Sequence, residues 1–211
     1  MKRYVFPLLA VLFFLSGNAA FSQNKAIQLL DKVAAKYGQS KGISAQFTLK
    51  NTDSQHQQLG TLTGTLKMQG QRFTFASSEM HVWYDGKNQW VYLPSSNEVN
   101  LSIPDADEIR NINPYLLLTT YKKEFKSTYK GKNGKQERVE LTPINPNNEI
   151  QKVVLDIDPV QLYPVTIVIY NTNKTQSTVQ VTKYQTGLNL QPSEFVFNPG
   201  KYPTAEIIDL R

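Results

Sequence analysis

The sequence predicts a mainly β (α+β) protein: a single unclosed antiparallel β-barrel or half-barrel of about ten to eleven strands, with an N-terminal helix and a short leucine-rich helix as its lid. Three observations predict it. Short alternating apolar/polar runs recur at roughly ten-residue spacing, each bounded by Gly, Pro, Asn or Asp. One amphipathic helical stretch precedes them. No repeat or low-complexity linker divides the 211 residues, a length that suits one domain. With 19% charged and 11% aromatic residues, the chain is neither a disordered segment nor a charged tail.

The N-terminus reads as an export signal. Met1-Lys2-Arg3 is basic, residues 4–15 are an apolar run, and Ser16-Gly17-Asn18 breaks it. Ala20-Phe21-Ser22 then offers small residues at the −3 and −1 positions of a cleavage site. An apolar run of that length is too short to span a bilayer, which takes about 20 residues. The expected signal peptide is 1–22, cleaved after Ser22. No later stretch is long and apolar enough to span, so the mature chain is expected to be soluble and not membrane-spanning. The chain has no cysteine. That excludes a disulfide scaffold, thiolate metal sites, a thiol nucleophile and lipid attachment at an N-terminal cysteine. An exported, cysteine-free, anchor-free chain fits the periplasm of a Gram-negative cell.

The mature part opens with the amphipathic helix. Asn24 can cap it, Ala26, Leu29, Leu30, Val33, Ala34 and Tyr37 recur at helical spacing, and Gly38 can stop it. Residues 44–49, 59–68 and 72–75 then alternate as strands. Residues 82–84 and 90–92 flank the turn signal Asp85-Gly86. Residues 139–141, 153–157, 165–170, 179–184 and 195–197 continue the strand series. The interruption comes at Ile103-Pro104-Asp105-Ala106-Asp107, after which Asn113-Pro114-Tyr115-Leu116-Leu117-Leu118 reads as a short helix with Asn as cap and Pro in first position. Three successive leucines make so short a helix apolar all round, so it is buried or faces an apolar ligand.

The net charge of +6 is not a general property of the chain. Two charges, Lys2 and Arg3, belong to the signal, leaving +4. Lys122, Lys123, Lys126, Lys130, Lys132, Lys135 and Arg138 face only Glu124 and Glu137 in that stretch, so the basic character is local. Asn133-Gly134 marks a hairpin between residues 125–129 and 136–141. The six lysines either blunt strand edges or form a docking patch for an acidic partner or lipid headgroups. Nucleic acid is not expected as a partner, because no recognition motif accompanies them.

Catalytic signatures are lacking. The two histidines, His56 and His81, form no metal-ligand spacing. Around Ser44 the sequence Gly42-Ile43-Ser44-Ala45-Gln46 has half of a nucleophile-elbow pattern, without the second glycine. Asp156 and Asp158 share a strand face but are followed at once by Pro159, and Asp105, Asp107 and Glu108 read as the start of a helical turn. No catalytic residue, metal or cofactor is expected, and the chain is read as a non-enzyme.

A resemblance sharpens this. Trp83-Tyr84-Asp85-Gly86-Lys87-Asn88-Gln89-Trp90-Val91-Tyr92-Leu93-Pro94 followed by Glu98-Val99 resembles a hairpin of the periplasmic outer-membrane lipoprotein carriers of the LolA type. Leu29-Leu30-x-Lys-Val, Ala45-Gln46-Phe47, Gly64-x-Leu-Lys-Met, the 113–118 helix, Leu141-Thr142-Pro143, Phe195-Val196-Phe197-Asn198-Pro199 and Ile207-Ile208-Asp209 follow in family order. The resemblance implies one carrier domain over 23–211, acting as a monomer, whose hydrophobic cavity shields the acyl chains of lipoproteins. It implies an inner-membrane ABC transporter as donor and an outer-membrane receptor as acceptor. The family's Arg-Pro, whose arginine helps hold the lid closed, has no counterpart in Met68-Gln69-Gly70-Gln71-Arg72-Phe73, and whether Arg72 replaces it is open.

The candidate cavity lining is Phe47, Leu49, Leu62, Leu66, Met68, Phe73, Phe75, Trp90, Tyr92, Leu116, Leu117 and Leu118. Ordinary core packing is the alternative for each. The expected function is a periplasmic carrier shuttling lipoproteins from inner to outer membrane; the alternatives are a carrier of another lipid, or a lipid- or lipoprotein-sensing regulator on the same fold.

Overall fold

The structure is a computed structural model and describes residues 16–105, 108–109 and 117–211. The apolar run 4–15, Asp107, and Asn113, Pro114, Tyr115 and Leu116 lie outside the described residues. Twelve strands form one sheet that is not closed into a barrel, in the order β12-β6-β5-β4-β3-β2-β1-β11-β10-β9-β8-β7. They are β1 (Ile43–Thr52), β2 (Gln58–Gln69), β3 (Arg72–Ser77), β4 (His81–Tyr84), β5 (Gln89–Leu93), β6 (Glu98–Ser102), β7 (Phe125–Asn133), β8 (Gln136–Pro143), β9 (Ile150–Asp158), β10 (Tyr163–Asn171), β11 (Gln176–Thr186) and β12 (Glu206–Asp209). Two α-helices are described, α1 (Ser16–Gln39) and α2 (Leu117–Glu124).

The mainly β half-barrel with an N-terminal helix is as the alternation indicated, with differences at particular elements. Helix α1 starts at Ser16, not after a cap at Asn24. Ala19 and Ala20 are strong helix formers, and Asn24 spends its Oδ1 on the Gln28 side chain four residues on, at 3.2 Å, inside the helix. Strand β6 escaped the pattern reading, and β12 pairs with it in parallel, which no hairpin signal could announce. Residues 195–197 are not a strand. Pro192–Phe195 is a 3-10 turn, because Pro192 cannot donate to a ladder and Glu194 Oε1 accepts from the Gln191 amide at 3.1 Å. A second 3-10 turn spans Pro199–Lys201.

Alternation divides the sheet into two faces. One face is covered by the apolar stripe of α1 (Ala26, Leu30, Val33, Tyr37) and by Leu117, Leu118 and Tyr121 of α2. Strands contribute Ile43, Ala45, Phe47, Leu66, Met68, Phe73, Phe75, Val82 and Tyr84 on one side of the sheet, and Val139, Leu141, Val153, Leu155, Ile157 and Ile167 on the other. Each such side chain contributes about 1.5–3 kcal/mol when fully buried, which makes this face the main source of stability. At its centre Phe47 stacks on Phe75 with ring centroids 5.7 Å apart. Gly64 makes the room: a Cβ there would lie 2.4 Å from Phe75 Cε2.

The opposite face carries a smaller aromatic cluster. Trp83 meets Phe197 at 5.4 Å and Tyr202 at 5.7 Å, and Tyr92 meets Tyr202 at 4.7 Å. This cluster, with the fully buried Phe195, pins residues 190–202 across the back of β3–β5.

Candidate functional site

A hollow of about 670 Å³ lies where α1, α2 and the sheet meet. Ala34, Tyr37 and Gly38 of α1, the β2–β3 turn at Gly70 and Gln71, Tyr84 of β4, Ile109, and the α2 residues from Leu118 to Glu124 line it. The volume falls within the roughly 300–1,000 Å³ typical of sites that enclose a small ligand. Its lining is mostly tyrosine, aliphatic and small residues.

Each wall is held by an identifiable contact. The Tyr37 hydroxyl donates to the Gly70 carbonyl at 2.7 Å, tying the end of α1 to the β2–β3 turn. Burial pushes that phenol up to about 12, so it remains a donor throughout the neutral range. Tyr84 packs its ring on Phe73 at 5.3 Å, and burial, with Asp85 beside it, raises its phenol as well.

The helices are clasped to each other through Asp31. Its carboxylate accepts from the Tyr121 hydroxyl at 2.7 Å and from the Lys122 ammonium at 2.7 Å to Oδ1 and 2.9 Å to Oδ2. Lys122 and then Tyr121 hold the Asp31 carboxyl below the usual range. Burial, followed by Asp31, drives the Tyr121 phenol upward. Thr120 Oγ1, also on the cavity wall, is buried with no hydrogen-bond partner among the described residues.

Residues 16–173 match the family described as "Outer membrane lipoprotein carrier protein LolA". The chain belongs to this family. Proteins of the LolA family are periplasmic lipid- and lipoprotein-binding carriers, not enzymes. No curated protein matches the sequence. Among solved structures, an uncharacterized conserved protein from Thermus thermophilus superposes with a TM-score of 0.57 at 13% identity, covering 88% of this chain and 99% of that one, which establishes a shared fold. A LolA superfamily protein from Nitrosomonas europaea gives a TM-score of 0.48 at 11% identity over 82% of this chain and 97% of its own. No helix among the described residues is long and apolar enough to cross a membrane.

Against this LolA-family frame, the twelve candidate lining residues separate into groups. Phe47, Leu49, Leu62, Leu66, Met68, Phe73 and Phe75 all lie on the helix-covered face, and Leu117 and Leu118 are buried beneath α2. Among the described ones, Leu118 alone lines the 670 Å³ cavity; Leu66, Met68 and Phe73 are at most 1% exposed in the packed core on the face that α1 covers. Trp90 and Tyr92 require correction. Cross-strand register places them beside Trp83 and His81, whereas Val82 and Tyr84 occupy the helix-covered face, so both lie on the rear face, where Tyr92 joins the aromatic cluster. Leu116 lies outside the described residues.

Arg72 does not hold α2. Its guanidinium bonds Gln69 Oε1 at 3.0 Å and lies over the Phe195 ring on the rear of the sheet. Asp31 and Tyr121, which do join the helices, were missed, because nothing local pairs residues 90 positions apart.

The basic segment spans three adjoining elements. Lys122 and Lys123 belong to α2, Lys126, Lys130 and Lys132 to the edge strand β7, and Lys135 to the β7–β8 turn. Lys122 pairs with Asp31 and Lys130 with Glu140 at 3.4 Å. Asp156, which shares a strand face with Asp158, is engaged by Arg138 at 2.7 and 2.8 Å and by Asn133 at 2.9 Å. Burial works to raise its carboxyl, but Arg138 and Asn133 together hold it below the usual range. Asp158 caps the next turn, accepting from the Val160 and Gln161 amides. Ser44 sits mid-strand, between Gln185 and Lys67, so it is on no strand-to-helix elbow.

Proposed function

We propose that this chain is an exported periplasmic carrier, cleaved after Ser22, that takes the acyl chains of lipoproteins into the space beneath α2 and passes them from the inner to the outer membrane. The observation that carries the reading is the 670 Å³ cavity between α1, the β2–β3 turn, Tyr84 and α2 in a LolA-family chain. The chemistry of the cavity suits the cargo. Each methylene taken from water contributes about 0.8 kcal/mol, so twelve chain carbons would supply roughly 10 kcal/mol without any covalent step. Binding that strong makes spontaneous release slow, and handover to another apolar surface is the efficient route. Thr120 Oγ1, unpartnered on the wall, is placed to donate to an ester or amide oxygen of an acyl linkage.

Donor and acceptor would be an inner-membrane ABC transporter and an outer-membrane receptor. Lys123, Lys126, Lys132 and Lys135, which make no ion pair among the described residues, are the docking candidates within the basic segment. The deciding experiment is organic extraction and mass spectrometry of the protein purified from the periplasm, together with lipoprotein sorting in cells lacking it. Co-purifying acylated lipoprotein and mislocalised lipoproteins are expected. Normal sorting with a different bound lipid would replace the lipoprotein reading by a carrier of that lipid.

A further inference from the structure

We propose that a second, lysine-rimmed hollow at the carboxyl end of α1 docks the protein onto the phosphate-bearing headgroups of an anionic lipid surface. The hollow has a volume of about 660 Å³ and lies between the last turns of α1, Leu162 in the β9–β10 turn, and Gly187 just beyond β11. Lys32 and Lys36 stand one helical turn apart on α1, and Lys41 follows just before β1; no carboxylate is among the lining residues.

Five lysines elsewhere, Lys25, Lys67, Lys122, Lys130 and Lys152, each pair with a carboxylate. Lys32 and Lys41 have no such partner among the described residues, and Lys36 donates to the backbone carbonyl of Gln161, which cancels no charge. The carboxylate of the adjoining turn, Asp158, is turned onto the Val160 and Gln161 amides, and Asp31 is held on the other flank of α1 by Tyr121 and Lys122. The hollow therefore concentrates uncompensated positive charge in a concave surface, where field and shape reinforce each other.

Its lining selects the kind of anion. Ala35 and Leu162 line the hollow beside the three lysines and, with the lysine stems, add apolar surface to it. A free inorganic anion would use only the ammonium groups. A lipid uses both, with the phosphate at the rim and the glyceryl portion against Ala35 and Leu162. The hollow and the 670 Å³ cavity flank the same turns of α1: Asp31, Ala34 and Gly38 line one, and Lys32, Ala35 and Lys36 the other. Docking through the lysines thus sets the cavity beside the lipid surface. The proposal does not depend on which cargo the cavity takes.

The test is co-flotation of the purified protein with phosphatidylcholine vesicles, with and without phosphatidylglycerol. Binding only to the phosphatidylglycerol vesicles is expected. A Lys32→Gln/Lys41→Gln double variant, both positions exposed, should weaken it about thirtyfold, from the roughly fivefold that each lysine near an anionic leaflet supplies. Lys50→Gln/Lys183→Gln, at two exposed lysines outside the hollow, should leave it unchanged, and binding of a fluorescent fatty acid should be equal in all three proteins. Failure of the unaltered protein to float, equal flotation of the Lys32/Lys41 variant, or loss confined to the Lys50/Lys183 variant would each overturn the proposal. So would displacement by inorganic phosphate beyond that of chloride at matched ionic strength, which would mark a free-anion site.

Discussion

Replacing Asp31 by Ala should loosen α2 without unfolding the sheet. Two interactions are lost. The first is the hydrogen bond from the buried Tyr121 hydroxyl to a carboxylate at 2.7 Å, a type that contributes about 1.5–3 kcal/mol. The second is the Lys122–Asp31 pair, whose side chains are 58% and 44% exposed, so solvent screening leaves it at most about 1 kcal/mol. Part of the first is recovered, since the Tyr121 hydroxyl also lies 3.4 Å from the Ile27 carbonyl and can turn to it. The net is about 2 kcal/mol, which raises the population with α2 undocked about thirtyfold.

Amide hydrogen exchange reads this directly. Exchange across Leu117–Glu124 should accelerate about thirtyfold in Asp31→Ala while the β9 and β10 amides keep their rates, and association of a fluorescent fatty acid should accelerate with it. Unchanged exchange in α2 would refute the clasp. A parallel acceleration in β9 and β10 would show that Asp31 supports the whole fold and not the cover alone. Acid gives an independent arm. Because the folded-state carboxyl lies below its unfolded value, the clasp is fully present above the ordinary aspartate value of about 3.9 and is lost as pH falls through the lowered one. Between pH 5 and 8 the exchange of α2, corrected for intrinsic rates, should be flat.

Other positions should respond in ways set by their contacts. Arg72→Ala should leave α2 exchange unaltered and lower the melting temperature modestly, as its guanidinium serves Gln69 and Phe195 on the rear face; accelerated α2 exchange would restore it as a lid element. Gly64→Ala should cost about 1–3 kcal/mol in denaturant titration, because the added carbon overlaps the Phe75 ring. Arg138→Leu should cost about 2–4 kcal/mol by stranding the Asp156 carboxylate, and adding Asp156→Asn should recover much of it. Phe195→Ala should cost about 3–5 kcal/mol and free residues 190–202 to limited proteolysis, since Phe195 is fully buried.

The sheet was legible because period-two alternation and turn residues are local. Leu62, Leu66 and Met68, or Phe73 and Phe75, announce their shared face within a few residues, and Asn133-Gly134 and Asp85-Gly86 lie at the β7–β8 and β4–β5 connections. The elements that were misread lack such signals. Glu98–Ser102 is a strand of only five residues with two apolar positions, Val99 and Leu101, and Glu206–Asp209 is a strand only because it lies beside β6. Phe195-Val196-Phe197 has the composition of a strand but follows Pro192, and Phe195 and Phe197 are buried against the rear of the sheet instead of pairing. Trp90 and Tyr92 alternate as well as Phe73 and Phe75 do. Alternation says that two residues share a face; it does not say which face, and both faces here are apolar.

The cavity was hardest to locate for a related reason. A curved apolar sheet and an amphipathic helix can leave a hollow between them or close on each other, and composition is the same in both cases. Here α1 closes onto the sheet: Leu30 and Val33 are buried in one cluster with Met68, Leu66 and their neighbours, and those residues lose nearly all contact with solvent. Space remains toward the carboxyl end of α1, between Ala34, Tyr37 and Gly38, the β2–β3 turn and α2. The cavity is therefore defined by where the helix stops and by an ion pair between distant residues, Asp31 and Lys122, not by the strand side chains that look most suited to bind a lipid. It follows that enlarging the cavity calls for changes at Ala34, Tyr84 or Leu118, whereas substitutions at Met68 or Phe73 act first on stability.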